Sequence, residues 1–368
     1  MRWIAMLFGA VGLGTLALTV AGRVGFAWPL EWMEGATLHH ALRLLEGKPL
    51  YAAPSAEFIA YLYPPLAYVP MALSVAALGP TLVAARLPSL FALAATLLLV
   101  GRSCARAAKD PFAGVLAAGI FAAGYGYAGA FLDLVRVDAL FVLLLVAGAE
   151  RLGADRPRAA LALCLASAFT KQHGVLFLFA ASTWLLATDA RKHRWPVVAA
   201  WGAGACAYAV LTLATDGWFH RYVVSVPASH PVEARYLASF LFVDVLVYLP
   251  VLGITAALSL FRDRMRGAAS LLLIAGLVAG ALGRAHPGGH DNVRLPALAM
   301  LVLVAVPPLA RAMLAPGPTR ARALAALLVG AQLAILWQPP SAHTPPAESA
   351  RAFAALSQAL ERCAGDGG

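Results

Sequence analysis

The stretch YPPLAYVPMALSVAAL, residues 63–78, decides how this chain is arranged. It is apolar enough to enter a bilayer, yet Pro64, Pro65 and Pro70 interrupt it. Whether it crosses determines which loops share a side, and so which polar residues can meet. Apolar runs flank it at about 3–22, 86–101, 112–132, 134–150, 159–170, 174–188, 197–215, 238–261, 268–283, 296–311 and 323–338. Short basic loops lie between them at Arg102/Arg106/Lys109, Arg151/Arg156/Arg158, Arg191/Lys192/Arg194, Arg262/Arg264/Arg266 and Arg311/Arg320/Arg322. Two runs separate each basic loop from the next, so all can occupy one side, which the positive-inside rule makes the cytoplasm. Arg2 belongs there too, which requires an even number of crossings before Arg102. Runs 3–22 and 86–101 supply two. Residues 63–78 are therefore expected not to cross, but to lie on the outer surface or re-enter as a proline-broken helix.

Composition agrees. The 368 residues are 61% hydrophobic and 12% charged, about half the charged share of a soluble domain. The runs are unbroken rather than alternating, which excludes a barrel. The expectation is an all-α integral membrane protein, a polytopic bundle of about eleven transmembrane helices plus the surface or re-entrant helix. Residues 1–338 form the membrane domain, with a long outer loop at 23–85. Residues 339–368 form a short extracytoplasmic tail, with a helix around Glu348–Arg362, too small for a domain of its own. The first run reads as a retained helix rather than a signal peptide, because further spans follow. The net charge of +10 belongs to anchoring loops, and no nucleic-acid partner is implied. Four scattered cysteines show neither CxxC nor metal spacing.

Several local readings follow. Taken as one helix, 159–188 would span about 45 Å, too long for a ~30 Å core. A hairpin turned at Lys171-Gln172-His173-Gly174 fits better and puts Lys171 near the outer interface. Glu34–Glu46 reads as an amphipathic helix with Leu38, Leu42 and Leu45 on one face, expected to lie flat on the membrane.

Of nine histidines only His193 falls inside, and most carboxylates fall outside. The outer face is where chemistry is expected. Glu34, with Glu31 second, lies beside the bilayer, where a carboxylate can take a proton from a hydroxyl; helix-start electrostatics explain such an acid equally well. Asp133, Arg136 and Asp138 occupy the turn between spans three and four, where charges are costly unless functional or paired. Lys171 suits a phosphate at headgroup depth, with Gln172 and His173 beside it. The loop from Arg284 to Arg294 is dense in donors. Its His286, His290 and Asp291 leave a divalent metal open, although phosphate or sugar contact by Arg284, His290 and Arg294 is preferred. Tyr63 can stack on a sugar or anchor at the interface. Asp244 is a charge within a span with no assigned role.

In order, Glu34-Gly35, Tyr63-Pro64-Pro65, Ala-Arg-Leu-Pro-Ser at 85–89, Arg136-x-Asp138, Thr170-Lys171-Gln172 and a polar loop with Asn292-Val293 resemble the GT-C-fold, polyprenyl-phosphate-sugar-dependent glycosyltransferases. Among these are bacterial relatives of protein O-mannosyltransferases and of the lipid A aminoarabinose transferase. The resemblance covers about residues 1–310. It implies a polyprenyl-phosphate sugar donor, an envelope glycan, lipid or protein acceptor, and inverting transfer on the extracytoplasmic face of a bacterial inner membrane. It also implies an acidic base in the first outer loop and cations on the phosphate: Lys171, Arg284, Arg294 and His290, with Arg136, Asp138, Tyr63 and Gln172 orienting substrate. The sequence departs from the pattern at Met33, where the family often carries Asp. The alternatives are a transporter or flippase for lipid-linked sugars, and an inactive membrane scaffold.

Overall fold

A computed structural model describes residues 1–262, 267–314 and 316–365; Arg264 and Arg266 of the fourth basic loop lie outside the described residues. The described chain is built of helices: α1 Arg2–Val24, α2 Glu34–Leu45, α3 Tyr68–Leu78, α4 Leu82–Ala108, α5 Pro111–Tyr127, α6 Asp138–Gly153 and α7 Pro157–Ala168. There follow α8 Gly174–Ala214, α9 Ala234–Val247, α10 Pro250–Arg262, α11 Ala268–Arg284, α12 Leu295–Leu314, α13 Thr319–Leu336 and α14 Ala347–Gly365. Among the described residues, five helices are long and apolar enough to cross a membrane, or six if the bent pair α9–α10 counts as one span. Four shorter apolar helices accompany them, Pro65–Leu78, Pro111–Tyr127, Pro157–Ala168 and Ala268–Arg284.

Helix boundaries follow local chemistry. Thr81 caps α4 by accepting the Ala84 N–H. Asp110 caps α5 by accepting from Phe112, with Pro111 in the first turn, where its missing N–H costs nothing. The bundle centre is α5 and α12, apolar nearly all round. A side chain at Gly12 of α1 would lie 2.0 Å from the Gly119 carbonyl oxygen of α5, so these helices pack backbone to backbone, as small residues permit in a membrane. At the α7–α8 turn, a side chain on Gly174 would lie 2.3 Å from the Ala168 nitrogen. The hairpin expected at Lys171–Gly174 exists, and glycine is what lets it close.

One pair of spans matches the sequence reading and one span differs from it. Residues 174–188 and 197–215 are the two arms of α8, which join without a gap at Asp189 (φ −156°, ψ 90°), where the backbone leaves the helix. Trp201 Nε1 donates to Ser182 Oγ at 3.1 Å, whereas 19 residues of straight helix separate such groups by about 28 Å. The arms fold back on each other, and the Asp189 carboxylate caps the second by accepting the Lys192 N–H. The run expected as one span at 238–261 is bent by 101° between α9 and α10. The preceding residues Phe240–Val247 are π-helical, a widening typical of functional breaks.

Ion pairs sort the helix ends into two layers. At one end Arg2 meets Asp110 at 3.6 Å, and Glu150 gathers Arg106 (2.7 Å), Arg151 (3.1 Å) and Arg102 (3.7 Å). At the other end Arg23, closing α1, meets Asp133 at 2.8 Å, and Arg86, near the start of α4, meets Glu34 at 2.7 Å. Residues 25–81 therefore leave and re-enter the bundle at the same end, and residues 63–78 do not cross. They form a short turn and α3, which bury Tyr68, Met71, Ala72 and Val75. The helix expected flat on the membrane, α2, packs on α3 instead: Ala41 joins Met71, Val75 and Val135, with Leu38 and Leu42 alongside. Leu45, assigned to the same face, is exposed.

Candidate active site

The loop between α5 and α6 is the scaffold of the site. Residues 130–137 are all buried, so their polar groups must find partners inside. Ser89 Oγ donates to the Leu134 carbonyl at 2.6 Å, and Arg23 donates to the Ala130 carbonyl at 3.0 Å. The Val135 N–H donates to Glu34 Oε1 at 2.9 Å.

Glu34 is completely buried. Its Oε1 accepts from Arg86 Nε (2.9 Å) and the Val135 N–H; its Oε2 accepts from Arg86 Nη2 (2.7 Å) and the Leu30 N–H (2.7 Å). Arg86 also donates to the carbonyls of Phe26 and Trp28. The pair pins the loop between α1 and α2 against α4 and the α5–α6 loop.

Beside it runs a chain of alternating charge. Glu31 Oε2 accepts from Arg136 Nη1 at 3.2 Å and from the Met33 N–H at 3.0 Å. Its Oε1 accepts from no group among the described residues, and the side chain is 14% exposed. Arg136 also reaches Asp138 (3.5 Å), the Tyr63 hydroxyl (3.4 Å) and the Met33 sulfur. Asp138 Oδ1 accepts from Lys171 Nζ at 2.8 Å and from Asn292 Nδ2 at 3.0 Å. Two cations thus face two carboxylates, brought from the first outer loop, the α5–α6 loop, α6 and the α7–α8 turn, with Asn292 added from the turn before α12. Arg136 is also the one charged residue lining a 570 Å³ groove between α3, α4 and α6, whose other walls include Met71, Pro88, Phe91 and Leu143.

The last outer loop supplies a second cluster rather than free cations. Asp244, buried in α9, pairs with Arg284 (3.1 Å) and Arg294 (2.9 Å). Asp291 pairs with Arg294 (2.8 Å) and Arg284 (3.4 Å). Arg294 also donates to the Tyr127 carbonyl and lies 4.9 Å from the centre of that ring. His290 is exposed and makes no side-chain hydrogen bond among the described residues; His286 meets His230 instead, with ring centres 4.8 Å apart and the planes tilted by 46°. Among the described residues no three or more His, Cys, Asp or Glu side chains converge on a point that could hold a metal ion. Gln172 turns away from the charges and braces loops, donating to the carbonyls of Val223 (3.0 Å) and Leu62. His173 beside it is pushed down to about 4 by burial and by Lys171, so it is uncharged at neutral pH.

Three members of these networks had no assigned role in the sequence: Arg23, Arg86 and Asn292. Arg86 carries a legible signal, an arginine inside an apolar helix. Arg23 opposes the inside bias of arginine. Asn292 was legible only as part of the Asn292-Val293 motif, because its partner, Asp138, lies 154 positions away.

No family model matches the chain, and no curated protein matches it. Among solved structures it is similar to ArnT from Cupriavidus metallidurans in the apo state, at 16% identity and a TM-score of 0.54, over 83% of this chain and 59% of that one. It also matches ArnT from the same organism bound to undecaprenyl phosphate, at 18% identity and a TM-score of 0.44, over 90% of this chain and 70% of that one. The chain has the membrane GT-C fold of ArnT, and it spans 59% of the length of the apo structure.

Proposed function

We propose that this protein is an integral-membrane glycosyltransferase that moves a sugar from a polyprenyl-phosphate donor to an acceptor hydroxyl. The reaction takes place at the end of the bundle opposite the basic loops, which we take as the extracytoplasmic side of a bacterial inner membrane. The observation that carries the reading is the groove between α3, α4 and α6, which is apolar along its walls and ends on Arg136. A polyprenyl tail in that groove leaves its phosphate at the guanidinium, with Lys171 on the far side of Asp138. The ArnT-like fold supports the same reading.

Glu31 is the base in this proposal, and Glu34 positions it. An acceptor hydroxyl gives its proton to Glu31 Oε1, and its oxygen attacks the anomeric carbon from the face opposite the phosphate. The carbon–phosphate oxygen bond breaks as the new bond forms, so configuration inverts. The departing phosphate gains charge, which Arg136 and Lys171 stabilise; preformed cations aimed at developing charge are the large term in such catalysis. Asn292 and Asp138 hold Lys171 in place. Arg284 and Arg294 hold the turn that carries Asn292, and Tyr63 and Gln172 hold the first outer loop.

One observation favours a rival, binding without transfer: Met33 presents a thioether to Arg136 where the resembled family often has a carboxylate. Purified protein in nanodiscs, given a panel of polyprenyl-phosphate sugars and an envelope extract as acceptor, separates the two. Release of polyprenyl phosphate from one donor, lost in Glu31→Gln with donor binding retained, is the expected result. Donor binding without release in the wild type would move the assignment to a transporter or scaffold.

A further inference from the structure

A second cleft, of 480 Å³, lies on another side of the molecule between α1, α5 and α13. Its walls run along α1 from Leu7 to Thr19, about 18 Å at the helical rise. That is roughly one leaflet of a ~30 Å hydrocarbon core. Ala123 forms part of its floor and Ala334 part of its rim, and it is open on one side. Two of its walls, α1 and α13, are among the five helices long and apolar enough to cross a membrane, so the open side faces lipid.

At one end the lining becomes polar, with Gln338 and His343. Their side chains bond each other at 2.5 Å, His343 Nε2 to Gln338 Oε1. A carbonyl oxygen only accepts, so Nε2 carries the proton. His343 Nδ1 is left to accept and Gln338 Nε2 to donate, and neither has a partner among the described residues. The nearby cation is spent: Arg23 donates to Asp133, to the Ala130 carbonyl and to the His343 carbonyl. Burial and the Arg23 charge both hold His343 below its ordinary pKa, in keeping with an uncharged end.

We propose that this cleft binds one acyl chain of a membrane lipid, whose ester or hydroxyl groups meet Gln338 and His343. The end of the cleft touches the active-site scaffold, because Tyr125, another lining residue, donates to Asp133 at 2.7 Å, three residues before Arg136. The donor groove and this cleft therefore reach the same loop from different sides, one ending on a cation and the other on neutral hydrogen-bonding groups. Its length along α1, about one leaflet, and its uncharged polar end suit a single acyl chain. This proposal stands whether or not the chain transfers sugar.

The test uses the full chain in phosphatidylcholine nanodiscs doped with phosphatidylcholine bearing a photoreactive diazirine near one chain end. After illumination, labelled peptides are mapped by mass spectrometry. Peptides of α1, α5 and α13 that line the cleft should label several-fold above the exposed positions Leu98 and Phe261, which line neither cleft. The excess should vanish in Ala123→Phe, and independently in Ala334→Phe, which changes only the rim; thermal unfolding confirms that each variant is folded. Even labelling over all lipid-facing helices, or an excess that survives both fillings in folded protein, would overturn the proposal.

Discussion

A carboxylate that accepts four hydrogen bonds has no lone pair left for a substrate. Glu34 is in that state, which is why base chemistry moves to Glu31 in the proposal although sequence reasoning ranked them the other way. The two substitutions should therefore behave differently. Glu34→Ala leaves Arg86 buried without its partner and should cost about 3–5 kcal/mol, seen as a large fall in the thermal midpoint. Glu31→Gln keeps an acceptor for Arg136, which also retains Asp138, so it should cost clearly less stability than Glu34→Ala, and lower kcat by about 10²–10⁴. Equal losses of stability in the two variants would refute this division of roles. His40 offers a pH test in the same loop. It is 1% exposed and stacks between Tyr61 and Tyr68. Its Nδ1 donates to the Ala36 carbonyl while its Nε2 accepts the Tyr61 N–H at 2.9 Å, so only the neutral ring fits. Burial lowers it from 6.5 to about 4. Between those values the unfolded chain holds more protons, so stability rises with pH there. The contribution is complete above pH 6.5 and is lost as pH falls toward about 4, by up to about 3 kcal/mol. The Tyr61 amide should exchange faster across that window in the wild type, and not in His40→Gln.

The tail helix α14 has a role that its length does not suggest. Phe353 stacks on Trp28 (5.8 Å, 14° between planes) and meets Phe26 edge-on at 6.2 Å. Arg86 holds the carbonyls of the same two residues from the bundle side. The loop leading to Glu31 is thus clamped between α14 and α4. Phe353→Ala removes aromatic contacts of about 0.5–1.5 kcal/mol each. It should raise hydrogen exchange at residues 26–33 and lower kcat more than donor affinity. Unchanged exchange there would make the tail a bystander. The break between α9 and α10 is a second element that bears on the site. A straight helix would carry Asp244 through the bilayer, whereas the π-helical turn presents it to Arg284 and Arg294. A charge in an apolar run announces that some partner exists, but it does not say which of the nearby arginines it is.

Across the whole molecule, the ion pairs at the two ends of the bundle carry the topology. A cysteine at Ala107 and one at Gly288, each in a background lacking the exposed Cys206 and Cys363, should react with impermeant thiol reagent from opposite sides of the membrane. Labelling from the same side would break the two-layer arrangement. What the sequence by itself determined is this layering. Apolar run length and the placement of arginine are local properties read against a solvent of fixed thickness, so they established the membrane class, the α7–α8 hairpin and the failure of residues 63–78 to cross. Chemistry-bearing residues such as Arg136, Asp138 and Lys171 were legible for the same reason, since a charge near hydrocarbon stands out without any knowledge of its neighbours. Only the tertiary structure decided who meets whom. It saturated Glu34 with Arg86 and a backbone N–H 101 positions away, left one oxygen of Glu31 free, and neutralised Arg284 and Arg294 with Asp244 and Asp291. Pairing depends on the crossing of helices distant in sequence, and no pattern along one segment encodes the angle at which another will arrive.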